Sequence, residues 1–171
     1  MRYNIVFHPS WWHKNGGIDF SEPFWDDPEV RILSDMAMRK LLYERFGSCD
    51  LGEPHPKPRP LMGSDMLACG FLSSRILGCD VIFQKDDAPQ VLCRNLSDED
   101  AFSLKFPNFD RNSVWQGVQR QLDFLQKKFG FVESYIDFNG VQNLALDLRG
   151  QNLFLDYYDE EGPAKHLLEV S

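Results

Sequence analysis

The feature that most constrains the fold is the alternation of strand-type and helix-type segments along the chain. Short apolar runs of strand type occur at residues 3–7, 59–62 and 132–138, and a helical pattern follows each of them. Such alternation favours parallel strands joined by right-handed crossovers, because parallel neighbours need a helical connection. The sequence therefore predicts an α/β fold, either layered or a barrel, with about three βα units visible.

Helix and turn signals place the other elements. Asp27 and Pro28 are a typical helix entry, and the pattern after them predicts a helix that ends at Gly47. A second helix is predicted over residues 114–129. Two short strand-type runs, 79–83 and 90–93, are joined by a charged turn and predict a hairpin added to the main fold.

Composition limits the class of protein. The chain has 171 residues, of which 43% are hydrophobic, so it can bury a core. The net charge of −8 opposes nucleic-acid binding, and no apolar run is long enough to span a membrane. We find no internal repeat, secretion signal or domain boundary, which predicts one domain over residues 1–171 in the cytoplasm. The four cysteines form no CxxC pair and are interpreted as reduced core thiols.

One stretch, residues 62–83, places a carboxylate where a strand is expected to turn into a helix. Gly63 and Ser64 precede Asp65, and an apolar helical pattern runs from there to Gly78. A negative charge is favoured near the exposed amides of a first helical turn, where a polar ligand can reach it. Asp65 is therefore the first candidate for a functional acid, with a simple N-cap as the alternative.

An aromatic, glycine-rich segment over residues 8–19 is predicted to be a loop that faces a ligand. His8 and His13, with Asp65, can bind a metal or orient a substrate; the alternatives are that they line a pocket or lie at the surface. No third ligand at a recognised spacing accompanies them, so no metal site is assigned. Trp11 and Trp12 can stack on a flat ligand or anchor the loop on the core, and both interpretations stay open.

Polar side chains also follow the third predicted strand. Asn139, Gln142 and Asn143 lie where a parallel strand of this type ends, which is the end at which barrels bind ligands. They are candidate substrate contacts. The alternative is that Asn139 forms a turn with Gly140 and that the other two cap the next helix.

Several short motifs resemble the uroporphyrinogen decarboxylase superfamily, which also contains cobalamin-dependent and coenzyme M methyltransferases. Residues 63–67 (GSDML) are similar to its FSDIL block, and residues 76–81 (ILGCDV) are similar to its LGMEV block. Residues 24–28 resemble its F-x-x-x-P helix entry, and residues 138–141 resemble its F-x-G-A turn. The similarity spans nearly the whole chain.

The resemblance implies a TIM-type (β/α)8 barrel, of which this chain supplies the N-terminal portion, about three βα units and the hairpin. It places Asp65 on the acid that contacts the pyrrole nitrogens of a tetrapyrrole in the decarboxylases. Asp65 and His8 are the predicted catalytic residues, both facing the substrate. In the methyltransferase branch it implies a corrinoid, and a zinc ion held by residues of the second half of the barrel.

Two departures from the decarboxylase pattern favour the methyltransferase branch. Residues 7–15 (FHPSWWHKN) replace a segment whose two arginines grip the substrate carboxylates, and lysine or histidine does not reproduce that bidentate contact. Residues 142–147 (QNLALD) lack the decarboxylase tyrosine.

Three hypotheses follow. The first is a subunit or fragment of a corrinoid-dependent methyltransferase, completed by a chain that supplies the missing barrel strands or by a second copy, with a corrinoid protein as a further partner. The second is a decarboxylase acting on a porphyrinogen. The third is a non-catalytic binding or assembly module whose exposed sheet edge docks a partner.

Overall fold

The computed structural model describes residues 5–63, 70–133, 139–158 and 162–171, which form a helix-rich mixed fold with a small two-stranded sheet. In chain order the elements are α1 (Pro9–Gly16), α2 (Glu22–Asp26), α3 (Pro28–Phe46), α4 (Leu72–Ile76), β1 (Asp80–Ile82), β2 (Gln90–Leu92), α5 (Asp98–Ser103), α6 (Ser113–Phe129), α7 (Val141–Arg149), α8 (Asn152–Asp156) and α9 (Ala164–Val170). Two 3-10 turns, Gly47–Cys49 and Phe109–Arg111, complete the list.

The chain divides into two compact units. The first comprises Met1–Cys69, Phe83–Pro89 and Gly117–Asp137, and the second comprises Gly70–Ile82, Gln90–Gln116 and Phe138–Ser171. The assignment of the chain to a single domain stays a prediction.

The core of the first unit is aromatic and lies between α1, α2 and α3. Its buried members are Trp12, Ile18, Phe20, Phe24, Met38 and Leu42. Helix α3 begins as predicted, with Asp27 accepting hydrogen bonds from the amides of Glu29 (2.8 Å) and Val30 (3.4 Å) and Pro28 at the first helical position.

Buried charges tie the extended, proline-rich segment of residues 52–60 to α3. Asp35 is 1% exposed and accepts from Arg39 Nε at 2.8 Å and from Arg59 Nε and Nη2 at 3.1 and 2.8 Å. Arg39 also donates to Glu53 Oε2 at 2.8 Å and to the Lys57 carbonyl at 2.6 Å. These bonds compensate for the desolvation of the ions, which buried charges require.

Arg31 is a second buried cation of this unit, and it pairs mainly with neutral oxygens. Its guanidinium donates to the carbonyls of Leu61 (3.1 Å), Phe24 (3.4 Å) and Trp25 (2.8 Å) and to Gln121 Oε1 (2.8 Å). Burial lowers the pKa of Arg31 to about 10, because desolvation disfavours the charged form.

The second unit packs around α7, which contacts α4, α8 and α9. The buried cluster that joins these helices contains Leu77, Cys79, Leu96, Ala101, Leu144, Ala145, Leu148, Leu153, Ala164 and Leu167. Arg149, at the end of α7, donates to both carboxylate oxygens of Asp156, at 2.8 and 2.9 Å, and to the Leu96 carbonyl at 2.5 Å. Asp98 also accepts from it.

Several sequence predictions are confirmed. Strands β1 and β2 form the predicted hairpin, antiparallel with Val81 opposite Val91. Helix α6 covers the predicted span, and Gly130 follows it with a φ of 81°, which favours glycine.

Other predictions are corrected. Residues 5–7 form no strand, and Ile5 and Val6 are exposed rather than paired with a neighbour. The segment predicted as a loop over residues 8–19 contains α1. His8 caps this helix and Pro9 starts its first turn, a helix-start signal that the prediction of a glycine-rich loop overlooked. Helix α4 is shorter than the span predicted after Asp65, although residues 64–69 lie outside the described part.

The third predicted strand is described only at its start. There Glu133 forms an isolated parallel bridge with Leu61, and its amide donates to the Pro60 carbonyl at 2.8 Å. Residues 134–138 lie outside the described part. The prediction of a (β/α)8 barrel stays a prediction.

The cysteines are only in part as predicted. Cys79 is buried, whereas Cys49 and Cys93 are exposed, and all three are free thiols. Cys69 lies outside the described residues. Among the described helices, none combines the length and apolar character needed to cross a membrane, and the cytoplasmic location stays a prediction.

Candidate functional site

The candidate site of the first unit is built on α1, and His8 is an exposed titratable group at its start. His8 is the N-cap of α1, and its Nδ1 accepts from the Ser10 amide at 3.4 Å and lies 2.8 Å from Ser10 Oγ. Its side chain is 59% exposed. The cap bond leaves Nε2 facing outward, so this nitrogen can exchange a proton with a ligand.

Asp87 stands beside that outward nitrogen. Its Oδ1 lies 3.5 Å from His8 Nε2, and it also accepts from the Ala88 amide at 2.7 Å. The turn that carries Asp87 is held by a bond from the Phe20 amide to the Lys85 carbonyl, at 3.0 Å. A carboxylate in this position can orient the imidazole.

The two tryptophans of α1 differ in exposure. Trp12 is fully buried in the aromatic core, with its ring centroid 5.0 Å from that of Trp11 and 5.4 Å from that of Phe7. Its Nε1 has no hydrogen-bond partner among the described residues. Trp11 is half-buried, so part of its ring can meet a ligand. Trp12 has the position of an anchor for α1.

His13 turns back onto its own segment. Its Nδ1 lies 2.9 Å from the Ile18 carbonyl, across the turn in which Gly17 has a φ of 66°. This bond fixes the chain between α1 and α2 and leaves Nε2 as the remaining ring nitrogen for a ligand. No group of three histidine, cysteine, aspartate or glutamate side chains gathers to form a metal centre in the part of the chain that the structure describes.

The second unit contains a separate polar cluster around Asn139. The Asn139 amide nitrogen donates to Ser74 Oγ at 2.9 Å and to Asp147 Oδ2 at 3.1 Å, and Ser74 Oγ donates to the same carboxylate oxygen at 2.6 Å. Ser74 is fully buried. The Asn139 amide nitrogen is thus bonded within the cluster, and its carbonyl oxygen can accept a hydrogen bond from a ligand.

Gln142 and Asn143 are exposed on the first turn of α7, and neither belongs to this cluster. The structure thus brings His8, Trp11, Trp12 and His13 together on α1 and places the Asn139 cluster in the other unit. Asp65 lies outside the described residues, so its role stays a prediction.

Sequence reasoning missed three polar residues of these sites: Asp87, Ser74 and Asp147. Asp87 lies in a charged turn, and such turns are typical of a solvated surface. It is far from His8 in sequence, so no sequence pattern predicts that the two side chains meet. Ser74 and Asp147 are 73 positions apart, and only folding makes them neighbours.

A scan of the sequence against models of known protein families found no match, and searches of curated proteins and of solved structures found none either.

Proposed function

We propose that this chain is part of a (β/α)8-barrel enzyme of the uroporphyrinogen decarboxylase type and that its activity is corrinoid-dependent methyl transfer. The observation that carries the proposal is the parallel bridge between Leu61 and Glu133. Parallel pairing of segments so far apart requires a long crossover, which is the connection that repeats in a barrel. The resemblance of residues 63–67 to the superfamily motif then selects the family.

The bridge also supports the role of Asp65. In barrels of this kind the ligand lies beyond the carboxyl ends of the strands. Leu61 takes part in the parallel pairing, and Asp65 follows it closely in sequence. We propose that Asp65 contacts the substrate and stabilises positive charge that develops there.

His8 is the proposed proton carrier. Methyl transfer leaves an electron pair on the atom that loses the methyl group, and a proton delivered to that atom makes it a better leaving group. The exposed Nε2 of His8, with Asp87 at 3.5 Å, is suited to this step. Trp11 offers an apolar ring surface to a flat ligand. A corrinoid, when bound, supplies the acceptor for the methyl group.

Exposed apolar side chains support the proposal of a partner chain or a second copy. In the second unit, Phe106 is 68% exposed and Leu155 is 69% exposed. Contiguous apolar surface is typical of interfaces. The native mass tests this directly: a complex heavier than the 19.9 kDa chain supports the enzyme, whereas a lone stable monomer supports the non-catalytic module.

Ligand titration separates the two chemistries. We expect the native species to bind methylcobalamin saturably, followed by corrinoid absorbance and tryptophan fluorescence, and His8→Gln to weaken methyl transfer. His55→Gln is the matched control, because His55 is exposed in the proline-rich segment. Asp65→Ala should abolish turnover, whereas Asp86→Ala, in the exposed turn, should not.

Two outcomes would contradict the methyltransferase. Binding of coproporphyrin without binding of methylcobalamin would assign the chain to the decarboxylases. Absence of binding of either compound to the native species would remove the enzyme proposal and leave the assembly module.

A further inference from the structure

Two cysteines flank the open end of the β1–β2 hairpin: Cys79 precedes β1, and Cys93 follows β2. The antiparallel register pairs Ile82 with Gln90, Val81 with Val91 and Asp80 with Leu92. The ladder ends at Asp80 and Leu92, and continuing its register by one residue toward the open end would set Cys79 opposite Cys93. Opposed residues of antiparallel neighbours have Cα atoms about 4.5–5.5 Å apart. That separation lies within the range of about 4.4–6.8 Å that a disulfide spans.

Contacts beyond the cysteines show that the two chain segments stay side by side. Arg94 Nη1 donates to the Leu77 carbonyl at 2.8 Å. The same nitrogen lies 3.5 Å from the position that a Cβ atom would occupy on Gly78. The Arg94 side chain therefore links the two chain segments just beyond the cysteines, and opposed side chains of a ladder lie on one face of it.

We propose that Cys79 and Cys93 form a reversible intramolecular disulfide whose oxidant is a low-molecular-weight disulfide of the glutathione type. The Cys93 thiolate attacks one sulfur of the oxidant and expels one thiolate, which leaves a mixed disulfide on Cys93. The Cys79 sulfur then loses its proton and attacks the Cys93 sulfur, which expels the second thiolate. The two protein thiols lose two electrons and two protons, and the oxidant is reduced to two thiols.

The environments of the two thiols explain why Cys93 reacts with the oxidant before Cys79 does. Cys93 is exposed and meets the oxidant first. Cys79 is buried, and its Sγ donates to the Asp147 carbonyl at 3.7 Å. Burial, with Asp147 nearby, raises the pKa of Cys79 to about 11, so Cys79 is the less reactive of the two thiols toward the oxidant. The Asp147 carbonyl also accepts from the Arg94 amide at 2.9 Å, so it keeps a partner when Cys79 is oxidised.

Peptide mapping of the full chain tests the proposal. The protein is equilibrated in buffers of varied ratio of reduced to oxidised glutathione, the thiols are blocked with an alkylating agent, and the chain is digested with trypsin without reduction. Cleavage after Arg75, Lys85 and Arg94 places the two cysteines in separate peptides. We expect one linked species of residues 76–85 and 86–94 that accumulates as the buffer becomes more oxidising and disappears on reduction.

Matched variants make the result specific. Cys49→Ser removes the other exposed thiol and should leave the linked species unchanged, whereas Cys93→Ser should abolish it while circular dichroism shows an unchanged fold. The proposal is overturned if Cys93 carries only glutathione at every ratio. It is also overturned if Cys93 links to Cys49 or Cys69 instead of Cys79.

Discussion

Removal of the buried carboxylate of Asp35 should destabilise the first unit far more than removal of a surface charge from the same helix. Asp35 is 1% exposed and accepts three charge-assisted hydrogen bonds from Arg39 and Arg59. Asp35→Asn keeps the shape but leaves two guanidinium groups without their shared anion. Breaking a buried ion pair in this way costs about 3–5 kcal/mol. The Arg59 side chain is 21% exposed, so water offsets part of this loss, and we expect about 3 kcal/mol.

The matched control is Lys40→Gln, also on α3. Lys40 Nζ lies 3.8 Å from Glu44, with both side chains more than half exposed, and such pairs contribute about 0–1 kcal/mol. Urea unfolding followed by tryptophan fluorescence measures both free energies of unfolding. Amide hydrogen exchange should in addition show lost protection in residues 52–60, because Arg59 and Arg39 hold this segment on α3.

A double-mutant cycle distinguishes the ion network from simple packing. If the network is real, Asp35→Asn and Arg59→Gln together should cost less than the sum of the single changes, by about 0.5–3 kcal/mol. The reasoning would be refuted if Asp35→Asn lowered the free energy of unfolding by no more than Lys40→Gln. Strict additivity of Asp35→Asn and Arg59→Gln would refute it as well.

Three further predictions concern the backbone, a second ion network and a buried thiol. Gly52→Ala should destabilise the protein more than Gly17→Ala does, as measured by thermal unfolding. Both glycines have positive φ, but a Cβ at Gly52 would lie 2.3 Å from backbone atoms, whereas a Cβ at Gly17 would meet open space. Arg149→Met should cost about 3–5 kcal/mol in urea unfolding, since it leaves the buried Asp156 carboxylate without its bidentate partner, and equal stability would contradict this. Cys79 should lower the free energy of unfolding as the pH rises from about 9 to about 11, because the folded state keeps its proton while the unfolded state loses it. The lowered pKa of Arg31 acts in the opposite direction above pH about 10. Cys79→Ala should therefore make the free energy of unfolding fall less over this range than in the unmodified chain, measured by urea titrations at each pH.

Local signals predicted the elements whose ends depend on neighbouring residues. The acid and proline before α3 and the glycine after α6 act within one helical turn, so their effect can be read along the chain. The hairpin followed from two short apolar runs and a charged turn for the same reason. The alternation of strand-type and helix-type segments also indicated an α/β chain. Within the described residues, the bridge between Leu61 and Glu133 is an instance of parallel pairing.

The polar arrangements were decided only by tertiary structure. Asp87 approaches His8, and Asp147 accepts from Ser74 and Asn139, through contacts between residues that are distant in sequence. Such contacts form because burial of each core brings chain segments together, and no periodicity of a single segment encodes which polar groups then meet. The sequence by itself determined which residues can begin, end or bury an element, whereas packing determined which of their polar atoms lie within hydrogen-bonding distance.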